Sequence, residues 1–231
     1  MRRLMESPLA RVARKPFGLA RRLRRNDSGV AFVEFAFTAP IVLGLGLMGT
    51  ETAHYVVTHM QLSQIAMQVA DNMSRVGEQD VLVEKKVYED DVTEVFIGAE
   101  KLGGDIDLFD NGRVIVSSLQ VNDDGGQWIA WQRCRGLKQH DSSYGVEGTG
   151  TEGTAFAGMG AGTAKITASP GTAVMFVELS YTYQSVTPFN FLTGREIEYT
   201  AAFNIRDSRD LTELYGADAG QAVASCAQYT A

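Results

Sequence analysis

Cysteine is almost absent from this chain, with two in 231 residues, and histidine is nearly as scarce, with three. Zinc modules need four closely spaced Cys or His ligands, so that class is excluded. His54 and His59 are five apart, which turns them about 140° from each other on a helix and makes a poor metal pair. His140 stands alone. Proline is low at 5, and the 24 glycines show no three-residue period, so collagen-like repeats are excluded. GxSxG is missing, no Ser-His-Asp arrangement is supported, and the glycine-rich GAGTAK lacks the GK[ST] of a phosphate-binding loop. Asp105, Asp107 and Asp110 have the look of a calcium loop, but Phe109 sits where that pattern wants a ligand. These absences leave no cofactor, no metal and no catalytic set, and the chain reads as a non-enzyme.

Basic charge is missing from most of the chain. Residues 1–29 hold eight Arg and one Lys against one Glu and one Asp, a formal +7, while the rest carries 12 basic and 26 acidic side chains, a formal −14. So acidic a body repels a phosphate backbone, which argues against nucleic acid as a partner. With 45% hydrophobic and 21% charged residues, the chain is neither a disordered polyelectrolyte nor a polytopic membrane protein.

One long hydrophobic run is present. Residues 30–50, VAFVEFAFTAPIVLGLGLMGT, contain a single ionisable group, Glu34. As a helix they span roughly 30 Å, the thickness of a bilayer's hydrocarbon core. Gly44, Gly46 and Gly49 weaken a soluble helix but are common in membrane helices. Arg21, Arg22, Arg24 and Arg25 crowd the N-terminal side and Glu51 opens the other. The positive-inside rule therefore puts the N-terminus in the cytoplasm and residues beyond about 50 outside it.

Past the membrane the helix is expected to continue to about 76. Val56, Leu62, Ile65, Val69, Met73 and Val76 keep 3–4 spacing, and Gly77 is a stop signal. The acidic run at 89–91 starts a second helix, Asp90–Leu102, which Gly103 and Gly104 end. Four strands follow, at 113–121, 127–134, 172–184 and 195–206, the first two joined through NDDGG. The last two alternate apolar and polar residues, which predicts an antiparallel sheet with one solvated face. Residues 145–162 hold seven glycines and read as a flexible loop, and a short helix is expected around 208–224. Trp128, Trp131, Tyr181 and Tyr183 are read as core, with an exposed partner patch as the alternative.

Cys134 and Cys226 both fall on the outer side of the predicted membrane helix. An even count in an oxidising compartment predicts a disulfide, with two unrelated buried thiols as the alternative.

The richest site surrounds Gly29. A basic leader ends in Gly29, a hydrophobic helix starts at Val30, and Glu34 lies fifth after the glycine. A charge in a membrane helix costs about 2.5–3.5 kcal/mol by insertion scales, so Glu34 needs a reason to be there. Here the sequence resembles the type IV prepilins, and more closely the TadE-like minor pseudopilins of tight-adherence (Tad/Flp) pilus systems. The stretch SGVAFVEFAFTAPIVLGLGLMGTETAHYVVTHMQLSQIAMQVA looks like their N-terminal signature. WQRC at 131–134, SYG at 143–145 and PGTAVMFVELSYTY at 170–183 are similar, less specifically, to their C-terminal parts. The resemblance implies cleavage after Gly29 by a prepilin peptidase, freeing the Val30 amine. It also implies pairing of Glu34 with that amine on a neighbouring subunit. Phe35 departs from Flp-type sites, which often show Tyr directly after the Glu.

The expected organisation is a basic cytoplasmic leader (1–29), a transmembrane helix (30–50), an amphipathic continuation (51–77) and a periplasmic α+β domain (78–231). The fold class is α+β, a long N-terminal helix packed on a small antiparallel sheet. The expected function is a minor pseudopilin-like component in assembly or initiation of a Tad-type pilus for surface adherence. Its partners would be prepilin peptidase, other pilin-like subunits, the Tad assembly machinery and membrane lipid. The alternatives are a secreted or anchored binding protein with an ordinary signal segment, and an envelope hydrolase.

Overall fold

The computed structural model describes residues 28–78, 84–188, 190–216 and 223–231. The leader, up to residue 27, lies outside them. The chain divides into two compact units, Met1–Thr50 and Glu51–Ala231.

Helix α1, Ser28–Met73, runs through the boundary between them. In the first unit it is long and apolar enough, by length and composition, to cross a membrane. From Gly29 to Thr50 every residue is exposed except Ala39 and Gly44. Besides Glu34, the polar side chains here are Thr38 and Thr50. Their hydroxyls donate to the Glu34 and Gly46 carbonyls one turn back, so neither presents a free donor outward. Pro40 lies inside the helix, where it removes one backbone donor.

In the second unit the same helix is amphipathic. Leu62, Ile65, Ala66, Val69, Ala70 and Met73 are buried, each at 2% exposure or less. Spaced three and four apart, they form one stripe. Full burial of one such large side chain is worth about 1.5–3 kcal/mol. Val56, expected on that stripe, is instead 51% exposed. The helix ends at Met73, three residues earlier than the spacing predicts. The buried guanidinium of Arg209 caps the end, donating to the carbonyls of Met73 and Ser74. Gly77 then turns the chain at φ +123, where a Cβ would meet the Lys86 carbonyl at 2.6 Å.

Helix α2, Glu89–Leu102, starts with three acidic residues in its first turn, and the Asp91 carboxylate accepts from the Tyr88 N–H. It buries Val92, Val95, Phe96 and Ala99. A 3-10 turn, Gly104–Ile106, and a single-turn helix α3, Leu108–Asn111, lead into the sheet. The strands are β1 Gly112–Val121, β2 Gln127–Arg135, β3 Val174–Thr182 and β4 Glu196–Asn204. They pair antiparallel in the order β2-β1-β3-β4, with one irregularity between Ser118 and Leu119. This is the expected α+β fold, a long apolar N-terminal helix followed by a small antiparallel sheet.

The stripe of α1 and the apolar side of α2 share one cluster with Val114, Val116, Met175, Val177, Leu179 and Ile197 of the sheet. The opposite face departs from expectation over β1 and β3, where it is covered, while on β4 Glu196, Glu198 and Thr200 are exposed as the alternation predicts. Leu119, Ile129, Val174 and Phe176 form a second cluster with Met159 and Ala168, and Phe156 and Tyr144 pack against it. Glu178 and Ser180, read as solvent-facing, are 4% and 1% exposed. The glycine-rich segment 145–162, read as a flexible loop, is folded onto this face through hydrogen-bonded turns. Asn122 ties it down by donating to the carbonyls of Gly150 and Gly153. Glycine is required at 150, where φ is +80 and a Cβ would lie 2.4 Å from the Gln127 carbonyl.

The helix expected at 208–224 is absent over 208–216 and 223–224, and the rest of that span lies outside the described residues. Arg209 and Tyr215 instead make isolated parallel bridges to Lys85 and Tyr88. Asp210 N–H donates to the Lys85 carbonyl, and Tyr215 N–H to that of Val87. Asp210 spends its carboxylate on Thr212 and Tyr215 rather than on a helix cap. Those donors hold its pKa down at about 2.

Candidate functional site

Gly29 and Val30 occupy the first turn of α1, and nothing lies within 4 Å of the position of a Gly29 Cβ. Val30 is 62% and Phe35 66% exposed, and Glu34 is exposed as well. Residues 30 and 34 lie one helical turn apart on one face. The helical register thus presents Glu34, Val30 and Phe35 along an apolar surface that none of the described residues covers.

A second carboxylate, Glu51, behaves in the opposite way. It is 1% exposed at the start of the second unit. Its Oε1 accepts from the Tyr183 hydroxyl at 2.9 Å and the Ser185 hydroxyl at 2.5 Å, and its Oε2 from the Thr187 N–H at 3.0 Å. Burial alone would raise the pKa, but the donors from Ser185, Thr187 and Tyr183 outweigh it and hold Glu51 at about 2. Burial and the adjacent carboxylate push Tyr183 well above the usual phenol range, so its hydroxyl keeps its proton. Having only one proton, and giving it to Glu51, Tyr183 must accept from His54 Nδ1, 2.8 Å away. This fixes the His54 tautomer. The chain Glu51–Tyr183–His54 pins the segment after β3 to α1.

Sequence reasoning used Glu51 only as a membrane-edge charge. The signal for its burial was there: Leu62, Ile65 and Val69, carried back eleven residues or three turns, place Glu51 on the buried stripe. His59 likewise meets Tyr199, Nδ1 to hydroxyl 2.9 Å. The two histidines therefore serve different tyrosines. Among the described residues no group of three His, Cys, Asp or Glu could hold a metal ion. Phe109 is buried in the core and Asp105 accepts from Gln61. Trp131, Tyr181 and Tyr183 are buried and Trp128 half-buried, so the aromatics are core rather than an exposed patch.

Cys134 and Cys226 are joined, with S–S 2.06 Å and Cα–Cα 4.7 Å across a sequence separation of 92. The bridge fastens a C-terminal strap over β2. Cys134 N–H donates to the Ala224 carbonyl and Gly136 N–H to that of Thr230. Arg113, 1% exposed on β1, donates to the carbonyls of Gly136, Cys226 and Gln228 and stacks on Tyr229 at 4.1 Å. A cavity of about 560 Å³ lies beside the bridge, with Arg113, Arg133, His140 and Asp141 in its wall. Arg133 is committed to Glu89 of α2, at 2.9 Å from Nε to each carboxylate oxygen, and to Glu147 at 2.8 Å. Burial lowers the pKa of His140.

No curated protein and no solved structure matches the chain. Residues 29–71 match the family model described as TadE-like protein. That match covers the exposed helix with Gly29, Val30 and Glu34 and most of the packed continuation, the segment whose residues resemble the TadE-like pseudopilins. The family is structural rather than enzymatic. The chain thus carries a TadE-like N-terminal segment, matching the TadE-like family of Tad pilus systems.

Proposed function

We propose that the protein is a minor pseudopilin-like component that acts in assembly or initiation of a Tad-type pilus used for adherence. The observation that carries this reading is the TadE-like match over 29–71, on a helix whose first half is apolar and uncovered. In this reading residues 30–50 sit in the inner membrane, the leader faces the cytoplasm, and residues 51–231 face the periplasm. A prepilin peptidase cuts after Gly29, where absence of a side chain leaves the peptide bond accessible. The new α-amine of Val30 titrates near 8 and is charged at neutral pH. In a low-dielectric bundle both that amine and the Glu34 carboxylate need partners, and a staggered neighbouring subunit supplies them while setting register. Ala39, Gly44 and Gly46 let the helices approach closely.

The test compares wild type, Gly29→Leu and Glu34→Gln in cells with the peptidase and pilus machinery. N-terminal mass should show a start at Val30 for wild type and the Gln variant but not for the Leu variant. The Gln variant, cheaper to insert because uncharged, should reach the membrane yet fail to support filaments or recover pilin-like partners. A mature start near residue 50 would favour the ordinary signal segment instead. Wild-type filament numbers from Glu34→Gln would leave the carboxylate without an assembly role.

A further inference from the structure

The two edges of the sheet are finished differently. Along β2, Ile129 N–H donates to the Thr149 carbonyl and Ile129 O accepts from Gly148, while Cys134 and Gly136 donate to the C-terminal strap. Loop and strap cover that edge, as exposed strand edges require. Among the described residues β4 has no such cover. Its ladder to β3 is bracketed by Ile205 N–H on the Ala173 carbonyl and Tyr183 N–H on the Arg195 carbonyl. Antiparallel ladder bonds alternate along a strand, so Ile197, Tyr199, Ala201 and Phe203 bond inward. Glu196, Glu198, Thr200, Ala202 and Asn204 turn their N–H and C=O groups outward. Among the described residues no hydrogen bond reaches those outward backbone groups. β4 also carries no proline and no bulge in its register, and its two charges, Glu196 and Glu198, both lie on one face.

Beside this edge α1 leaves an apolar shelf. Val56, Met60 and Met67 are 51%, 59% and 47% exposed. With Tyr55, His59 and Tyr199 they line a groove of about 380 Å³. The inward-bonding residues of β4 point their side chains to this side, as Tyr199 does toward His59. Glu196 and Glu198 project on the other face, both exposed; Glu196 is paired with Lys138 and accepts from the Thr182 hydroxyl, whereas Glu198 makes no ion pair among the described residues.

We propose that the β4 edge and this groove dock an extended segment of a partner protein, added as a fifth strand. Its alternate side chains are apolar, resting on Met60 and Met67, and basic, lying beside Glu198. A helix would fill the groove but leave the row of outward amides unpaired. A second copy would bring its own Glu196 and Glu198 and a body of formal charge −14 against this edge. The inference concerns a different surface from the Gly29–Glu34 segment and holds whether or not the leader is cleaved.

The test uses the full chain in lipid nanodiscs with two synthetic nine-residue peptides, one alternating Val with Lys and one alternating Val with Glu. The Lys peptide should slow amide exchange of Glu198, Thr200 and Ala202, and bind roughly tenfold or more tightly than the Glu peptide. Thr200→Pro removes one outward N–H and leaves the inward ladder whole, so it should weaken the Lys peptide roughly tenfold. Glu198→Lys, an exposed change, should shift the preference toward the Glu peptide even if the proline variant does not fold. Equal binding of both peptides, or binding without slowed exchange at these amides, would overturn the proposal. So would slowed exchange that rises with protein concentration in the absence of peptide, since the occupant would then be a second copy.

Discussion

The two halves of α1 are made from the same helix and meet opposite fates. From Gly29 to Thr50 the apolar side chains are uncovered, Phe32 and Phe37 at 74% exposure. From Glu51 onward one stripe is buried at 2% or less while the opposite face stays wet or open. The two glutamates follow the same division. Glu34 stands exposed on the uncovered half, whereas Glu51 is enclosed by three donors. Uniform hydrophobicity leaves a helix with no preferred side and hands its packing to lipid or to other helices. Periodic hydrophobicity selects a side and builds a core.

The largest effect should fall wholly in the second unit. Cys134→Ser or Cys226→Ser opens the same loop, and each should cost about 4–5 kcal/mol on the chain-entropy account of a closure this long. Both variants should melt lower by the same amount and lose the faster migration on non-reducing gels. Free-thiol labelling of both cysteines in the oxidised protein would remove the bridge from the fold.

A matched pair of truncations sharpens the contrast within α1. Leu62→Ala, at a site 0% exposed, should destabilise the second unit by about 3 kcal/mol in denaturant titration. Leu45→Ala, at a site 66% exposed, should change that midpoint by less than about 0.5 kcal/mol. Equal effects would mean that the first half is packed after all.

The smallest effects are set by pH. Glu51 has its pKa lowered from 4.5 to about 2, so its contribution is full above about 4.5 and is lost as pH falls toward 2. Glu51→Gln should therefore cost about 2 kcal/mol at pH 7, with the deficit closing in acid. Glu178 has the opposite sign. Burial raises its pKa despite donors from Ser142 and Ser143, so its ionised form is penalised as pH rises through that value. Glu178→Gln should raise the melting temperature slightly at pH 7 and have less effect near pH 4. Parallel pH profiles for the two variants would contradict these environments.

Element types were legible along the chain because each rests on a local signal. The single ionisable group in 21 positions marks the membrane-length helix, the acidic run at 89–91 starts α2, and NDDGG joins β1 to β2. The resemblance around Gly29 and Glu34 was equally local, being one glycine, one carboxylate and an apolar run in fixed register. Residue pattern alone therefore determined the α+β class, the apolar helix, the order of strands along the chain and the TadE-like segment. Tertiary structure decided the rest. Alternation shows that a strand has two faces but not what covers the second, so the burial of Glu178 against Ser142 and Ser143, and of Ser180 against Lys138, was out of reach. Glu51 lies on the buried stripe by spacing, yet its donors come from residues 183–187, more than 130 positions away. Whether a sheet edge is covered depends equally on where distant segments come to rest. The strap held by Cys226 and Arg113 closes β2, while among the described residues no hydrogen bond closes the edge of β4.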